Sequence, residues 1–178
     1  MRITLKPLGD VDSEVVRELG EKVNLVFLCP VKVVEVKAGF SYLAHAYNQE
    51  RRQYLASKLL ESLSVLPRQR KEKVVGIVDV DLYTPRLNFI FGEADINSST
   101  AIVSLCRLRQ EYYGLPADRN LFIERATKEI VHELGHTFGL GHCHNARCIM
   151  HFSNSLADTD WKDVIFCPEC RPRIIPLT

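Results

Sequence analysis

Apolar and polar positions alternate at the start of the chain: over residues 2–8, Ile3 and Leu5 share one face, as in a half-buried strand. The period then changes, and residues 12–22 put Val15, Val16 and Leu19 on one side of a predicted helix. Two β-rich runs follow, Asn24 to Leu28 and Val31 to Val36, separated by Pro30. The longest helical pattern extends from about Ala44 to Leu66, where Leu55, Leu59, Leu63 and Leu66 recur near helical spacing and Pro67 ends the run. Lys73 to Leu82 is almost continuously apolar, as a central strand covered on both faces would be. Asn88–Phe91 and Ala101–Leu108 predict two more strands, joined by a polar turn at Asn97-Ser98-Ser99. A second long helix is expected over roughly Asp118 to Phe138.

Helix and strand alternate up to residue 110, which predicts an α/β (α+β) fold with a mixed twisted sheet and two long helices. From Gly139 onward the periodicity fades, and Cys, His and Pro dominate. Such a tail is too small to hold together by apolar burial and should need a metal staple. The expected organisation is one domain over residues 1–178, with an upper α/β part at 1–139 and a small irregular part at 140–178. The second long helix should run along the cleft between the two parts.

Composition narrows the class without naming a chemistry. With 178 residues, 46% of them hydrophobic and 25% charged, the chain reads as a soluble globular protein able to bury a core. A net charge of +1 exerts no global pull on nucleic acid or an anionic membrane, so neither is expected as a partner, and a monomer is expected. The densest basic run, Arg68 to Lys73, reads as a solvated loop. No apolar run approaches the ~20 residues that span a bilayer, and Arg2 and Lys6 interrupt any signal-like start. A cytoplasmic location is the expectation, with no N-terminal propeptide to mask a site. In a reducing compartment the clustered Cys143, Cys148, Cys167 and Cys170 read as metal ligands, with disulfides Cys143–Cys148 and Cys167–Cys170 as the alternative. Cys29 and Cys106, alone in apolar surroundings, read as small core residues.

The chemistry concentrates in His132-Glu-Leu-Gly-His136-Thr-Phe-Gly-Leu-Gly-His142. Histidines four apart share a helix face, so His132 and His136 can reach one ion. Gly139 can take the left-handed conformation that ends a helix and returns His142 to the same metal. Three neutral imidazoles leave the fourth position of a zinc ion open to water, the mark of a catalytic site, and Glu133 stands ready as general base. Four thiolates from the cysteine cluster instead close a tetrahedral zinc site of the structural kind. His142 and Cys143 are neighbours, yet each should serve a different ion. Successive side chains in extended backbone point to opposite sides, so the two metals should flank this segment.

This extended motif resembles that of the metzincin clan of zinc peptidases, whose members also place a methionine in a tight turn under the metal. Met150 follows His142 by only eight residues, where most metzincins have a much longer segment. With Cys143-x4-Cys148, Cys148-x-Met150 and Cys167-x2-Cys170, the chain resembles the archaemetzincin family, most densely over residues 132–170. The resemblance implies a zinc metallopeptidase acting on peptide or protein substrates, with two Zn2+ per chain. One would be catalytic, on His132, His136 and His142; the other structural, on Cys143, Cys148, Cys167 and Cys170. It also implies that Met150 supports the site without ligating, and that substrate lies extended along an edge strand. The segment Asn88 to Glu93 is the candidate strand, with Gly92 permitting close approach or forming a bulge.

Other functions compete on these residues. A zinc-dependent nuclease shares the histidine spacing, but Glu133 and the near-neutral charge argue against it. A non-catalytic zinc module would leave Glu133 without a purpose, and a peptidase-like chain with a weakly held zinc is the third alternative. His144 and His151 read as loop residues or as a third metal site, His45 as an ordinary surface residue, and Trp161 as the anchor of the tail on the core.

Overall fold

In the computed structural model, which describes residues 2–34, 42–69 and 71–174, the alternating start forms strand β1 (Arg2–Pro7). It lies between β2 (Val31–Val33) and β5 (Glu72–Val78), parallel to both, and β9 (Thr100–Ser104) continues the parallel run. β8 (Gly92–Asp95) pairs antiparallel with β9 and closes a five-stranded mixed sheet in the order β2-β1-β5-β9-β8. β5 is apolar on both faces because both are covered. Val75 and Ile77 face the core under helices α1 (Ser13–Phe27) and α3 (Arg119–Thr137), while Val74 and Val78 face α2 (Ala56–Ser64). On α2, Leu59, Leu60 and Leu63 form the buried stripe, each worth about 1.5–3 kcal/mol of burial. A second sheet, β3 (Tyr47–Asn48), β4 (Gln53–Leu55), β6 (Leu82–Thr84) and β7 (Leu87–Ile90), continues beside this core.

Past Gly139 the described residues hold two short helices, α4 (Leu156–Trp161) and α5 (Arg171–Ile174). Its apolar residues Leu140, Ile149, Met150, Phe166 and Ile174 join the α1/α3 side of the core, and Phe166 meets Phe27 edge-on at 5.7 Å. No helix among the described residues is long and apolar enough to cross a membrane.

The expected fold class stands, but several elements differ. Asn24 to Leu28 is not a strand: α1 continues to Phe27, because Val23 and Phe27 extend the stripe of Val16 and Leu19 against the sheet. Its partner run forms a strand only at Val31–Val33, and residues 35–36 lie outside the described residues. The long helix expected from Ala44 to Leu66 reduces to α2. Its first half is a single 3-10 turn and a hairpin, in which Tyr47 meets Tyr54 with tilted rings at 5.0 Å and Asn48 Oδ1 accepts the Arg51 N–H at 3.0 Å. The two long helices are therefore α1 and α3. The apolar run to Leu82 splits at Asp79–Asp81, whose carboxylates accept from Arg109 and Arg107, and Leu82 passes to the second sheet. The expected strand to Leu108 ends at Ser104, and its polar turn joins β8 to β9.

Two side-chain expectations also fail. Trp161 is 63% exposed, with Arg147 over its ring; Thr159 and Lys162 anchor the tail instead. The basic run is not simply solvated, since Glu72 and Lys73 begin β5. Glu72 accepts from the Thr4 hydroxyl and, at 2.6 Å, from the Gln69 N–H. Burial alone would raise this carboxyl, but those two bonds, with Lys6 and Arg2 nearby, hold it below its ordinary value. A depressed folded pKa adds stability above the unfolded pKa, and the gain disappears as pH falls through the folded value. Glu72→Gln should thus be less stable than the wild type near neutrality, with the gap closing as acid protonates Glu72. Urea unfolding between about pH 6 and pH 3 measures this, and a constant gap over that range contradicts it.

Candidate metal centre

Asp118 starts α3 by accepting the Leu121 N–H at 3.0 Å, and from Ala126 to Gly135 the helix is buried on every side. It ends because Gly139 adopts φ +86°: the Gly139 N–H bonds the His136 carbonyl at 2.9 Å and the Leu140 N–H bonds that of Gly135 at 3.2 Å. This paired closure is the Schellman arrangement, which reverses the chain at the glycine. Arg173, on α5, braces the turn through the Gly139 carbonyl at 2.7 Å, and Lys73 donates to the Thr137 carbonyl at 2.5 Å. Both cations meet the negative end of the helix dipole.

The reversal returns His142 to the two helical histidines, with ring centroids 4.9 Å from His136 and 5.4 Å from His132. One nitrogen from each of the three rings lies within a group no wider than 4.8 Å. The Nε2 atoms of His132 and His136 are 3.1 Å apart, near the ~3.3 Å expected of two nitrogens on one tetrahedral ion. Their Nδ1 atoms reach the carbonyls of Ile149 and Leu140, both at 2.8 Å. A carbonyl only accepts, so each Nδ1 carries the proton and each Nε2 presents its lone pair inward. Burial pushes all three imidazoles below their ordinary pKa, which keeps the rings neutral and able to ligate.

The four thiols of Cys143, Cys148, Cys167 and Cys170 form a second group within the same 4.8 Å limit. Cys143 Sγ is 3.8 Å from Cys167 Sγ, as two sulfurs ~2.3 Å from a shared tetrahedral ion would be. All four cysteines are free, so the disulfide alternative is not formed. The neighbours His142 and Cys143 do divide between the two groups. Met150 links them: its carbonyl accepts the Cys143 N–H at 2.9 Å, and its side chain packs against Gly135.

Glu133 is 95% buried, its side chain packed against Gly92 of β8. Burial, then Glu129 and Glu93, raise its carboxyl well above the ordinary value, against the pull of Lys162. A cleft of about 530 Å³ opens over these groups, bounded above by β7 and β8 and below by His142 and Phe152. Of the candidate substrate segment, only Gly92 and Glu93 lie in the edge strand; Leu87–Ile90 belongs to the second sheet. Phe91 O accepts the Ser104 N–H at 2.8 Å. By antiparallel alternation, the backbone groups of Gly92 and Ala94 then point away from β9, toward the free edge.

A family profile described as peptidase family M54 matches residues 6–175. The archaemetzincin of Pyrococcus furiosus is 45% identical over 94% of this chain and 89% of its own length. That of Methanocaldococcus jannaschii is 41% identical over 98% and 93%. The chain belongs to the archaemetzincins, peptidase family M54. Solved structures agree with this membership. A zinc-dependent peptidase from Methanocorpusculum labreanum superposes with a TM-score of 0.88 at 33% identity, covering 97% of this chain and all of that one. The Methanopyrus kandleri archaemetzincin superposes with a TM-score of 0.83 at 39% identity, covering 98% and 93%. As a member of this family the chain is a metallopeptidase, and its substrates are peptides or proteins.

Around this archaemetzincin site lie residues that sequence reasoning passed over. Glu129, one turn before Glu133, lies 3.0 Å from the fully buried Lys162 ammonium and accepts from the Thr159 hydroxyl at 3.1 Å. Arg125 forks onto Asp160 with two bonds of 2.6 Å. Spacing could have flagged Glu129 on the face of Glu133; nothing local marks Lys162. Phe152, 4.9 Å from the His142 ring, was likewise unmarked. Of the remaining histidines, exposed His144 and half-buried His151 join neither group, although His151 bonds the Cys143 carbonyl at 3.0 Å. His45 is exposed beside Ser62. Cys29 is buried; Cys106 is half-buried, its thiol pushed up to about 11 by burial and then by Asp81 and Asp79.

The approach of Met150 to the helix requires a glycine. A Cβ at residue 135 would stand 2.2 Å from Met150 Sδ, whereas one at residue 141 would meet nothing within 4 Å. Gly135→Ala should cost about 1–3 kcal/mol and lower metal retention at the histidine cluster, while Gly141→Ala should do neither. Thermal unfolding with metal analysis of both variants provides the comparison, and equal behaviour would remove Met150 from the support of the site.

Proposed function

We propose that this metallopeptidase is zinc-dependent and carries two zinc ions per chain. One is held for catalysis by His132, His136 and His142, and one for structure by Cys143, Cys148, Cys167 and Cys170. Glu133 is the general base. The observation that carries this reading is the paired tautomer lock, in which both helical imidazoles present Nε2 to a common point 3.1 Å apart. A carboxylate beside that point, buried against the edge strand, has no use in a purely structural site. Each cluster is complete within one chain, as a monomeric enzyme requires.

When bound at the histidines, zinc supplies a Lewis acid that brings the pKa of water to about 7 and polarises a carbonyl. Glu133 takes the proton from the attacking water and delivers it to the departing amide nitrogen. Its burial raises the affinity of the carboxylate for that proton. The outward N–H and C=O groups of Gly92 and Ala94 align an extended peptide over the cleft by main-chain pairing. In this reading residues 1–139 form the upper part of the enzyme and residues 140–178 the lower, with α3 along the cleft between them.

Glu133→Gln should keep both zinc ions and lose peptide hydrolysis by a factor of about 10²–10⁴. Zinc analysis and a peptide cleavage assay on the same preparation test this; retained hydrolysis ends the general-base assignment. Cys143→Ala should loosen the tail and also weaken zinc at the histidines, because the Cys143 N–H and the Met150 carbonyl tie the segment carrying His142 to the methionine turn. Zinc retained under a mild chelator is the readout, and wild-type retention at the histidine site would sever the proposed link.

A further inference from the structure

Strand β7 also borders a second depression, of about 640 Å³, that shares no lining residue with the histidine cleft. Three arginines, Arg51, Arg52 and Arg107, and one carboxylate, Asp81, line it. That carboxylate is already engaged: Oδ1 accepts from Arg107 Nε at 2.6 Å, and Oδ2 from the second prong of Arg107 at 2.7 Å and from Gln53 at 3.1 Å. Arg51 bonds only neutral oxygens, the Gln53 side chain at 3.0 Å, the Asn88 carbonyl at 3.1 Å and the Leu87 carbonyl at 3.5 Å, and lies 4.4 Å over the Tyr83 ring. Among the described residues neither Arg51 nor Arg52 forms an ion pair. Arg52 holds φ +55°, a left-handed conformation that glycine or asparagine adopts more easily, and its side chain is exposed. The pocket therefore contains three guanidinium groups against one carboxylate, two positive charges in excess.

We propose that this pocket binds a phosphate dianion, either as the free ion or as a phosphate monoester, held chiefly by Arg51 and Arg52. A dianion matches the excess charge, and guanidinium forks fit tetrahedral oxyanions through paired N–H donors. The same residues connect the pocket to the wall of the cleft. Arg51 holds the Asn88 carbonyl of β7, and Arg107 lies 4.3 Å over the ring of Phe89, whose strand lines the cleft. An anion bridging Arg51 and Arg52 thus braces β7. This inference stands apart from the peptidase mechanism and does not depend on it.

The test is calorimetric titration of the zinc-loaded protein with inorganic phosphate at about pH 8, where the dianion predominates, followed by amide exchange across residues 87–90. The wild type should bind saturably and protect β7. Arg52→Glu and Arg51→Gln should each weaken binding at least tenfold and abolish the protection. A parallel titration with glycerol 2-phosphate distinguishes the sources: tighter binding than inorganic phosphate assigns a monoester, equal or weaker binding the free ion. Absence of saturable binding in the wild type overturns the site. Unchanged affinity in both variants does so too, because it places the anion outside this pocket.

Discussion

Two imidazole N–H groups are held by backbone carbonyls, His132 by Ile149 and His136 by Leu140, and much of the molecule is arranged around keeping those carbonyls in place. Leu140 comes within reach only because α3 stops and the chain reverses at Gly139. Ile149 is delivered by the turn that buries Met150 under Gly135, and that turn is tied to Cys143 by a backbone bond. The histidine cluster is therefore a product of the tail as much as of the helix. Helical spacing alone brings two rings to one face; it determines neither which nitrogen carries the proton nor where the third ring stands.

Charge burial joins the same two parts a second time. α3 is almost wholly enclosed, yet it carries Arg125, Lys128, Glu129 and Glu133. Arg125 and Glu129 are matched from the tail, by Asp160 and by Lys162 with Thr159. Of these pairs only Glu129–Lys162 is enclosed on both sides; it adds little net stability, but removing one of its partners strands a charge and costs about 3–5 kcal/mol. The two pairs act as a register device, since only one seating of α4 on α3 satisfies both. That seating also fixes the segment of Phe152, which forms the lower lip of the cleft.

How legible each element was depended on whether its cause was local. α3 was readable from end to end, because Asp118 caps one terminus and Gly139 ends the other within the residues themselves. The region from Ala44 to Leu55 was misleading. Its spacing allows a helix, but Tyr47, Gln53 and Tyr54 find partners in a hairpin and in Asp81 and Asn88, far along the chain. Asn24 to Leu28 failed in the opposite direction: residues with β preference were drawn into α1 because Val23 and Phe27 continue its buried stripe.

By itself the sequence determined the identities and groupings of the metal-binding candidates, the end of the helix that bears His132 and His136, and the family to which the chain belongs. Those features rest on spacings of a few residues, where covalent geometry and helical period leave little freedom. The tertiary structure alone decided which carbonyls orient the imidazoles, that Lys162 faces Glu129, and that β8 rather than Asn88–Phe91 is the free edge beside Glu133. Each of these is a meeting of residues remote along the chain, selected by the packing of whole elements, and no local pattern carries it.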